Sequence, residues 1–200
     1  DTIPRAKLAA VMLLTLRGTP FLYYGEEIGM ERQKVPFKKI QDPVGKKYWP
    51  FHPGRDPERI PMAWNSSDLT GFTTGNPWLP SYEKAKETNV EDQIHDKSSL
   101  WNVYKKLIDI RKERKSLRKG KLKIHLSSDK QVLYYRRREG KEESYVFLNF
   151  SNETVAVSYP RKWELEEILY TTAPRPSFIP KDSEDGFLQL LPNEAIIFSN

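Results

Sequence analysis

Seven short runs rich in β-branched and aromatic residues fill residues 121–200, and they constrain the fold more than any other feature of the sequence. Turn-prone groups such as Ser127-Ser128-Asp129 and Pro192-Asn193 separate the runs. Short strands at regular spacing with turns between them are typical of an antiparallel β-sandwich. The predicted strands are residues 122–126, 132–136, 145–150, 154–159, 168–170, 187–191 and 195–198.

The first 25 residues have a different pattern. Thr2 is the predicted N-cap of a helix that contains the apolar run 8–16, and Gly18 follows its end. The apolar run 21–24 then predicts a strand buried on both faces. A helix, a short loop and a buried strand in this order are typical of an α/β barrel. A further amphipathic helix is predicted from Ser98 to Arg118.

Residues 31–97 form a long, irregular excursion that contains more than half of the chain's 15 prolines. Loops of this length are usually functional or disordered. The large aromatic residues Trp49, Trp64, Phe72 and Trp78 favour an ordered loop, because such side chains supply packing surface. We therefore expect the excursion to be ordered and to pack near a functional site.

The net charge of +6 is unevenly distributed. Residues 101–141 carry 15 Lys and Arg against 4 Asp and Glu, whereas residues 142–200 carry 4 against 10. A nucleic-acid interface needs basic residues on one face together with stacking aromatic residues or a groove-entering motif. The basic block instead divides between a helix face and a strand, so we expect its partners to be the acidic residues of the same chain.

The sequence lacks the motifs that are typical of several other classes of function. The chain has no Cys, which excludes disulfides and fits a reducing compartment such as the cytoplasm, although sequons begin at Asn65, Asn149 and Asn152. His52, His95 and His125 are scattered and predict no zinc site. Gly-x-Ser-x-Gly and phosphate-binding glycine motifs are absent, and no apolar run is long enough to span a membrane. We expect no metal, cofactor, nucleic acid or membrane partner.

Two pairs of charged residues are candidates for chemistry. Glu26 and Glu27 follow the predicted strand, but neighbours in an extended chain point to opposite sides, so they are not expected to flank one glycosidic bond as a catalytic pair. A structural role is expected for both. Arg55 and Arg59 lie in an aromatic, proline-rich stretch and either bind a ligand or hold the loop. Because Gly54 frees the backbone beside Arg55, we predict substrate binding for Arg55 and loop anchoring for Arg59.

A series of motifs resembles one enzyme family. Residues 14–30 resemble the last barrel strand, with its flanks, of α-glucosidases in the α-amylase superfamily, glycoside hydrolase family 13. The resemblance continues through Gln41-Asp-Pro-Val-Gly45, Gly54-Arg-Asp56, Arg59-Ile-Pro-Met62 and the stretches 71–80 and 107–112. It is close over residues 5–120 and looser beyond them. The family members that the motifs resemble most are α-1,4-glucosidases and oligo-1,6-glucosidases, to which trehalose synthases and sucrose isomerases are closely related.

The resemblance implies a retaining hydrolase of terminal α-glucosidic bonds that acts on oligosaccharides or disaccharides. The family's catalytic carboxylates follow earlier barrel strands, the last in an Asn-His-Asp motif, and Asp1 lacks the Asn-His. No catalytic residue is therefore assigned, and this chain alone is expected to be inactive. Arg55 aligns with the substrate-holding arginine of the family's Gly-Arg-Asp motif. Relatives usually read Arg-Thr-Pro-Met-Gln-Trp where this chain has Ile60 and Ala63 in place of Thr and Gln.

The predicted fold is an α+β fragment. Residues 1–119 would form the last helix-strand-helix part of a (β/α)8 barrel with the long loop 31–97, and residues 120–200 an antiparallel β-sandwich. The start at Asp1 without Met is expected of a piece of a longer protein, whose N-terminal remainder completes the barrel. One alternative is glucosyl transfer of the trehalose synthase or sucrose isomerase type. Others are a non-catalytic relative such as an amino-acid transporter heavy-chain subunit, and a bare carbohydrate-binding module.

Overall fold

The computed structural model describes residues 2–127, 130–175 and 186–200, with the backbone alone described for Leu126. The α-helices in these residues are α1 (Thr2–Thr15), α2 (Pro43–Tyr48), α3 (Val90–His95), α4 (Leu100–Glu113) and α5 (Lys115–Lys119). Single turns of 3₁₀ helix cover Glu26–Ile28, Phe37–Lys39 and Asp56–Glu58. The strands are β1 (Lys121–Leu126), β2 (Val132–Glu139), β3 (Glu142–Asn149), β4 (Val155–Ser158), β5 (Glu167–Thr171), β6 (Phe187–Leu190) and β7 (Ala195–Ser199).

The chain forms two compact units. One combines Asp1–Phe21 with Val103–Asn200, and the other is Leu22–Asn102. These units are defined by contacts, whereas the predicted domains were defined by type of fold. The predicted division at residues 119 and 120 therefore stays a prediction, although α5 ends at Lys119 and β1 begins at Lys121.

In the first unit, strands occur at all seven predicted places, and every pairing is antiparallel. Five strands form one sheet in the order β1-β2-β3-β7-β5, and β4 pairs with β6 in a second sheet. Alternate residues of the two sheets contribute to one hydrophobic cluster, because successive side chains of a strand point to opposite faces. The buried members of that cluster are Val132, Tyr134, Tyr145, Phe147, Val157, Trp163, Leu188, Leu190, Ile196 and Phe198.

The opposite face of the five-stranded sheet is covered by helices. Strands β3 and β7 contact α1, and β2 and β3 contact α5. Polar side chains meet in this layer, where the Thr15 hydroxyl shares a hydrogen bond of 2.6 Å with the Tyr135 hydroxyl. The Ser116 and Ser144 hydroxyls form a similar pair at 2.7 Å. Strand β2 is therefore buried on both faces in its first half.

Two arginines bind the C-terminal end of α1, whose last turn contains no basic residue. Arg111 donates through Nη1 to Leu14 O at 2.6 Å and through Nη2 to Gly18 O at 2.6 Å. Arg137, which is fully buried, donates to Thr15 O and to Gly120 O. The last carbonyls of a helix lack intrahelical donors and carry partial negative charge, so cations suit this position. Burial lowers the pKa of the Arg137 guanidinium to about 10, which leaves it charged at neutral pH.

The basic block has the intramolecular acidic partners expected from the charge distribution. Arg114 lies 3.6 Å from Glu142, while Arg136 and Arg138 each lie 3.3 Å from Glu143. The predicted single helix over residues 98–118 is divided, because Arg114 has extended backbone angles between α4 and α5. That break lets the Arg114 side chain donate to Glu143 O at 2.8 Å.

The predicted strand at residues 21–24 is wrong. These residues form no strand, and Phe21, Leu22, Tyr23 and Tyr24 are exposed, Phe21 to 84%. A strand buried on both faces takes its hydrogen bonds and its burial from neighbouring strands. No described residue pairs with this segment as a strand, so its apolar composition alone does not produce one.

The second unit, Leu22–Asn102, contains the predicted excursion and is ordered around its own core. The core consists mainly of aliphatic and small side chains. Its buried members are Ile28, Val35, Ile40, Ile60, Met62, Ala63, Leu79, Tyr82, Ala85 and Val90. The expected order is present, but its predicted cause is wrong, because Trp49, Trp64, Phe72 and Trp78 are exposed by 41 to 52%. These large aromatic side chains are left free to contact something else.

We expect Arg137→Ala to lower the free energy of unfolding by about 2 to 4 kcal/mol, because buried acceptors that lose their donor cost about 1 to 3 kcal/mol each. Arg138→Ala is the matched control, since Arg138 is 54% exposed and forms a surface ion pair worth about 1 kcal/mol or less. Urea denaturation of both variants followed by circular dichroism makes the comparison. Equal losses would contradict the assigned role of Arg137.

Candidate functional site

Two buried carboxylates join residues 41–44 to residues 54–56, and we call their contacts the Asp42–Asp56 network. Asp56 Oδ2 accepts from the backbone N–H groups of Gln41 at 2.5 Å and Asp42 at 2.8 Å. Asp42 is the N-cap of α2, and its Oδ1 accepts from the N–H of Val44 at 2.9 Å. Its Oδ2 accepts from Arg55 twice, from the backbone N at 2.9 Å and from Nε at 3.2 Å. The network fixes Arg55 to the start of α2.

The N–H of Arg55, followed by that of Val44, lowers the pKa of the Asp42 carboxyl to about 2. The network also explains why residue 54 is a glycine. Its φ of +74° lies in the left-handed region, which favours glycine. A Cβ at Gly54 would lie 2.8 Å from Asp42 Cγ and from the backbone N of Gly45. A side chain at residue 54 would therefore push apart the atoms that hold Arg55.

The contacts of Arg55 and Arg59 bear on the roles predicted for them, which are substrate binding for Arg55 and loop anchoring for Arg59. Arg55 has a 69% exposed side chain that pairs with Asp42 through Nε, and its Nη1 and Nη2 have no hydrogen-bond partner in the described part of the chain. The backbone N–H of Arg59 donates to Asp56 O at 2.9 Å, but its side chain has no hydrogen bond or ion pair to another described residue and lines a pocket instead. Glu58, the neighbour of Arg59 in the sequence, forms an ion pair with Arg32 at 3.0 Å.

That pocket, which we call the aromatic pocket, has a volume of about 440 Å³. It lies within the second unit, and aromatic rings form much of its wall. Its lining residues are Tyr24, Glu27, Arg59, Pro61, Met62, Trp64, Phe72 and Trp78. Mostly apolar cavities with a few polar groups are typical of small-molecule sites. The residues come from three separated stretches of sequence, which the core of the second unit brings together.

Glu27 supplies the acidic group of the aromatic pocket. The 3₁₀ turn Glu26–Ile28 replaces the extended backbone assumed from the sequence, so the expectation that neighbouring side chains alternate does not apply there. Glu27 Oε2 is buried and has no hydrogen-bond partner among the described residues, in contrast to the predicted structural role. A buried carboxylate oxygen without a donor is costly, so Glu27 is suited to accept a hydrogen bond from a ligand.

Tyr24 forms one wall of the pocket and is held by two contacts. Its hydroxyl donates to Ile60 O at 3.0 Å, and its ring stacks on Tyr23 with 5.0 Å between centroids. Burial raises the pKa of Tyr24, which keeps the hydroxyl protonated as a donor. Sequence reasoning missed Tyr24 as a site residue, because the predicted strand assigned it to a barrel core.

Ile60 and Ala63, which replace the relatives' Thr and Gln, are both buried in the core of the second unit. Neither side chain reaches the pocket as a polar group. Their backbone carbonyls are used instead, since Ile60 O accepts from Tyr24 and Ala63 O accepts from the N–H of Val90 at 3.0 Å. These positions therefore support the loop between Arg59 and Trp64 through packing and backbone bonds.

The three histidines are apart from this pocket. His125 contacts the aromatic cluster of the first unit, with its ring 4.8 Å from Trp163, and His52 Nδ1 accepts from the N–H of Gly54. Across residues 2–127, 130–175 and 186–200, no group of three or more His, Asp or Glu side chains is placed to hold a metal ion. Asp1 lies outside the described residues. The helices described there are all too short or too polar to cross a membrane.

The alpha-amylase catalytic-domain model matches residues 1–120. The chain belongs to the alpha-amylase family. It is 33% identical over 188 residues to an oligo-1,6-glucosidase from Parageobacillus thermoglucosidasius, a match that covers 85% of this chain and 33% of that protein. It is also 33% identical over 162 residues to a probable alpha-glucosidase from Rhizobium meliloti strain 1021, covering 81% of this chain and 29% of that protein. These matches confirm the predicted resemblance.

Two solved structures are similar to this protein over nearly the whole chain. Trehalulose synthase from Pseudomonas mesoacidophila MX-45 has a TM-score of 0.82 at 28% identity, covering 98% of this chain and 38% of that one. A variant of isomaltulose synthase from Erwinia rhapontici NX5, in complex with D-glucose, has the same TM-score of 0.82, identity of 28% and coverage of 98% and 38%. The chain thus spans about a third of the length of the curated relatives it matches.

The Asp42–Asp56 network gives a pH-dependent contribution to stability. The folded pKa of Asp42, about 2, lies below the value of about 3.9 for an unfolded Asp, so the unfolded chain binds more protons between these values. The stabilisation is present above about pH 4 and is lost as the pH falls through about 2.

We therefore expect Asp42→Asn to have a lower melting temperature than the wild type at pH 7 and a shallower fall in melting temperature between about pH 4 and pH 2. Thermal unfolding of both proteins over this range tests the expectation. Parallel curves for the two proteins would show that the Asp42 carboxylate is not linked to folding.

Proposed function

We propose that the complete protein is an α-glucosidase-like retaining glycoside hydrolase that cleaves terminal α-glucosidic bonds, and that this chain is its C-terminal portion. The proposed substrates are α-glucoside oligosaccharides or disaccharides. The observation that carries the proposal is the aromatic pocket, in which an unpartnered buried carboxylate oxygen and a guanidinium lie among exposed aromatic rings. The family and the names of the relatives support this choice.

The pocket's chemistry suits a sugar. Aromatic faces such as those of Trp64 and Trp78 pack against the C–H face of a pyranose ring. A ring hydroxyl both donates and accepts, so it can bond to Glu27 as donor and to Arg59 as acceptor. Charge-assisted hydrogen bonds of this kind are shorter and stronger than neutral ones.

Arg55 is the proposed substrate-binding arginine. Its Nε is held by Asp42, whereas Nη1 and Nη2 have no partner among the described residues. A guanidinium fixed by one nitrogen loses less conformational freedom when it binds a sugar hydroxyl. The Asp42–Asp56 network would thus hold Arg55 in place for its ligand.

In this proposal residues 1–119 belong to the catalytic (β/α)8 barrel, with the long loop 31–97 over the active site. Residues 120–200 form a β-sandwich domain that supports it. The match of residues 1–120 to the catalytic-domain model and the shared cluster between two antiparallel sheets support this division. The N-terminal remainder of the barrel would supply the carboxylates that act as nucleophile and acid/base.

Glucosyl transfer that isomerises a disaccharide is the second candidate function. It is favoured by the similarity over 98% of this chain to trehalulose and isomaltulose synthases. Product analysis of the complete protein with sucrose separates the two functions, since hydrolysis releases glucose and fructose whereas isomerisation releases a new disaccharide.

We expect the complete protein to hydrolyse a chromogenic α-glucoside and Arg55→Ala to lower kcat/KM by about 10- to 150-fold, the range for a charge-assisted hydrogen bond that strengthens in the transition state. Arg118→Ala, which removes an exposed arginine elsewhere, should retain wild-type kinetics. Asp42→Asn breaks the ion pair but keeps the guanidinium, so it should cost less than Arg55→Ala. Equal losses would mean that Arg55 acts only through the loop, and an absence of hydrolysis would overturn the proposed activity.

The exposed rings of the pocket give a further expectation. Trp64→Ala and Trp78→Ala should each raise KM by about 5- to 30-fold, since an aromatic face lost to a sugar ring is worth about 1 to 2 kcal/mol. Phe51→Ala is the control, because Phe51 is 95% exposed and does not line the pocket. Steady-state kinetics of the three variants make the test, and unchanged KM values for both Trp variants would show that the pocket does not contact the substrate.

A further inference from the structure

A second cavity of about 750 Å³ lies in the second unit and shares no lining residue with the aromatic pocket. Four prolines, Val35 and Trp49 form its apolar surface, and Arg32, Gln33 and Lys34 are its polar lining residues. The charged side chains of this lining are all cations. The cavity has the size of a small-molecule site.

The cavity has fixed walls. Gln33 is 6% exposed, and both ends of its amide are bonded, with Nε2 donating to Ser81 O at 3.0 Å and Oε1 accepting from the N–H of Glu83 at 2.7 Å. Val35 belongs to the core of the unit. The Trp49 ring packs on Phe37 with 5.8 Å between centroids and is 41% exposed. A rigid floor therefore presents one open aromatic face.

The charged residues that line the cavity indicate the sign of the charge that a ligand would carry. Lys34 is exposed and has no hydrogen bond or ion pair to another described residue, and Arg32 uses Nε for Glu58. Lys38 and Lys39 lie in the neighbouring turn Phe37–Lys39. The lining of the aromatic pocket includes both a carboxylate and a guanidinium, whereas the charged groups that line this cavity are cations alone. A cation-only lining favours an anionic group.

We propose that this cavity is a second binding site that takes an anionic saccharide, with the sugar ring on Trp49 and a phosphate or carboxylate at Lys34 and Arg32. A saccharide is favoured over an acidic peptide because the cavity is of small-molecule size, whereas peptides bind extended grooves or sheet edges. The cavity shares no lining residue with the aromatic pocket and would recognise a charge that the aromatic pocket does not select.

Isothermal titration of the complete protein with glucose 6-phosphate, glucuronate, glucose and inorganic phosphate tests the proposal. We expect glucose 6-phosphate, glucuronate or both to bind more tightly than glucose and than phosphate alone; which of them binds distinguishes a phosphate from a carboxylate ligand. Lys34→Ala should weaken that binding by about 10-fold or more. Lys86→Ala, the loss of an exposed lysine outside the cavity, should leave binding unchanged, and so should Glu27→Gln.

Binding that survives Lys34→Ala, or that is lost in Glu27→Gln, would overturn the second site. So would phosphate or poly-glutamate that binds as tightly as the anionic sugars, because the cavity would then respond to charge alone. Trp49→Leu provides an independent test, because the loss of the aromatic face should also weaken binding of the anionic sugar. The titration needs no turnover, so its failure is distinguishable from a failure of the proposed hydrolysis.

Discussion

The Asp42–Asp56 network is the contact on which the candidate site depends. The second unit has few long regular elements, so hydrogen-bond ladders cannot fix most of its backbone. Two buried carboxylates supply that constraint by accepting four backbone N–H groups and the Arg55 side chain. Buried carboxylates are costly unless they accept hydrogen bonds, and the bonds from Arg55 to Asp42 and those to Asp56 Oδ2 join segments that are 13 to 15 residues apart, while Asp56 Oδ1 has no partner among the described residues. The same network leaves the outer nitrogens of Arg55 available for a ligand.

In the second unit, the residues that form the core differ in type from those that are exposed for ligand contact. Its core uses aliphatic and small side chains, with Tyr82 as the exception, and keeps Trp64, Phe72 and Trp78 at the surface. Exposed aromatic clusters are uncommon on soluble proteins unless they meet a partner or a ligand. Together with the buried, unpartnered oxygen of Glu27, this arrangement is better explained by ligand contact than by folding. In the first unit, by contrast, aromatic side chains such as Tyr145, Phe147 and Trp163 form the core itself.

The sequence predicted what depends on local pattern. Runs of β-branched and aromatic residues located all seven strands. The charge distribution predicted that the basic block pairs with acidic residues of the same chain, as Arg114, Arg136 and Arg138 do with Glu142 and Glu143. Features that depend on distant partners were missed. Residues 21–24 have the composition of a buried strand but lack strand neighbours among the described residues, and Trp64 and Trp78 have the composition of core residues but line a pocket. Arg55 is held by Asp42, and Arg59 lines the same pocket as Glu27. Neither placement can be predicted from the spacing of these residues in the sequence.

The most direct test of the central claim is a crystal structure of the complete protein with a bound α-glucoside. The account predicts electron density for a sugar ring in the aromatic pocket, packed against Trp64 or Trp78 and hydrogen-bonded to Glu27 or Arg59. It also predicts that Arg55 keeps its contact with Asp42 while its outer nitrogens reach a sugar hydroxyl. A sugar bound in the active site with no atom near this pocket, or an Arg55 turned away from it, would contradict the account.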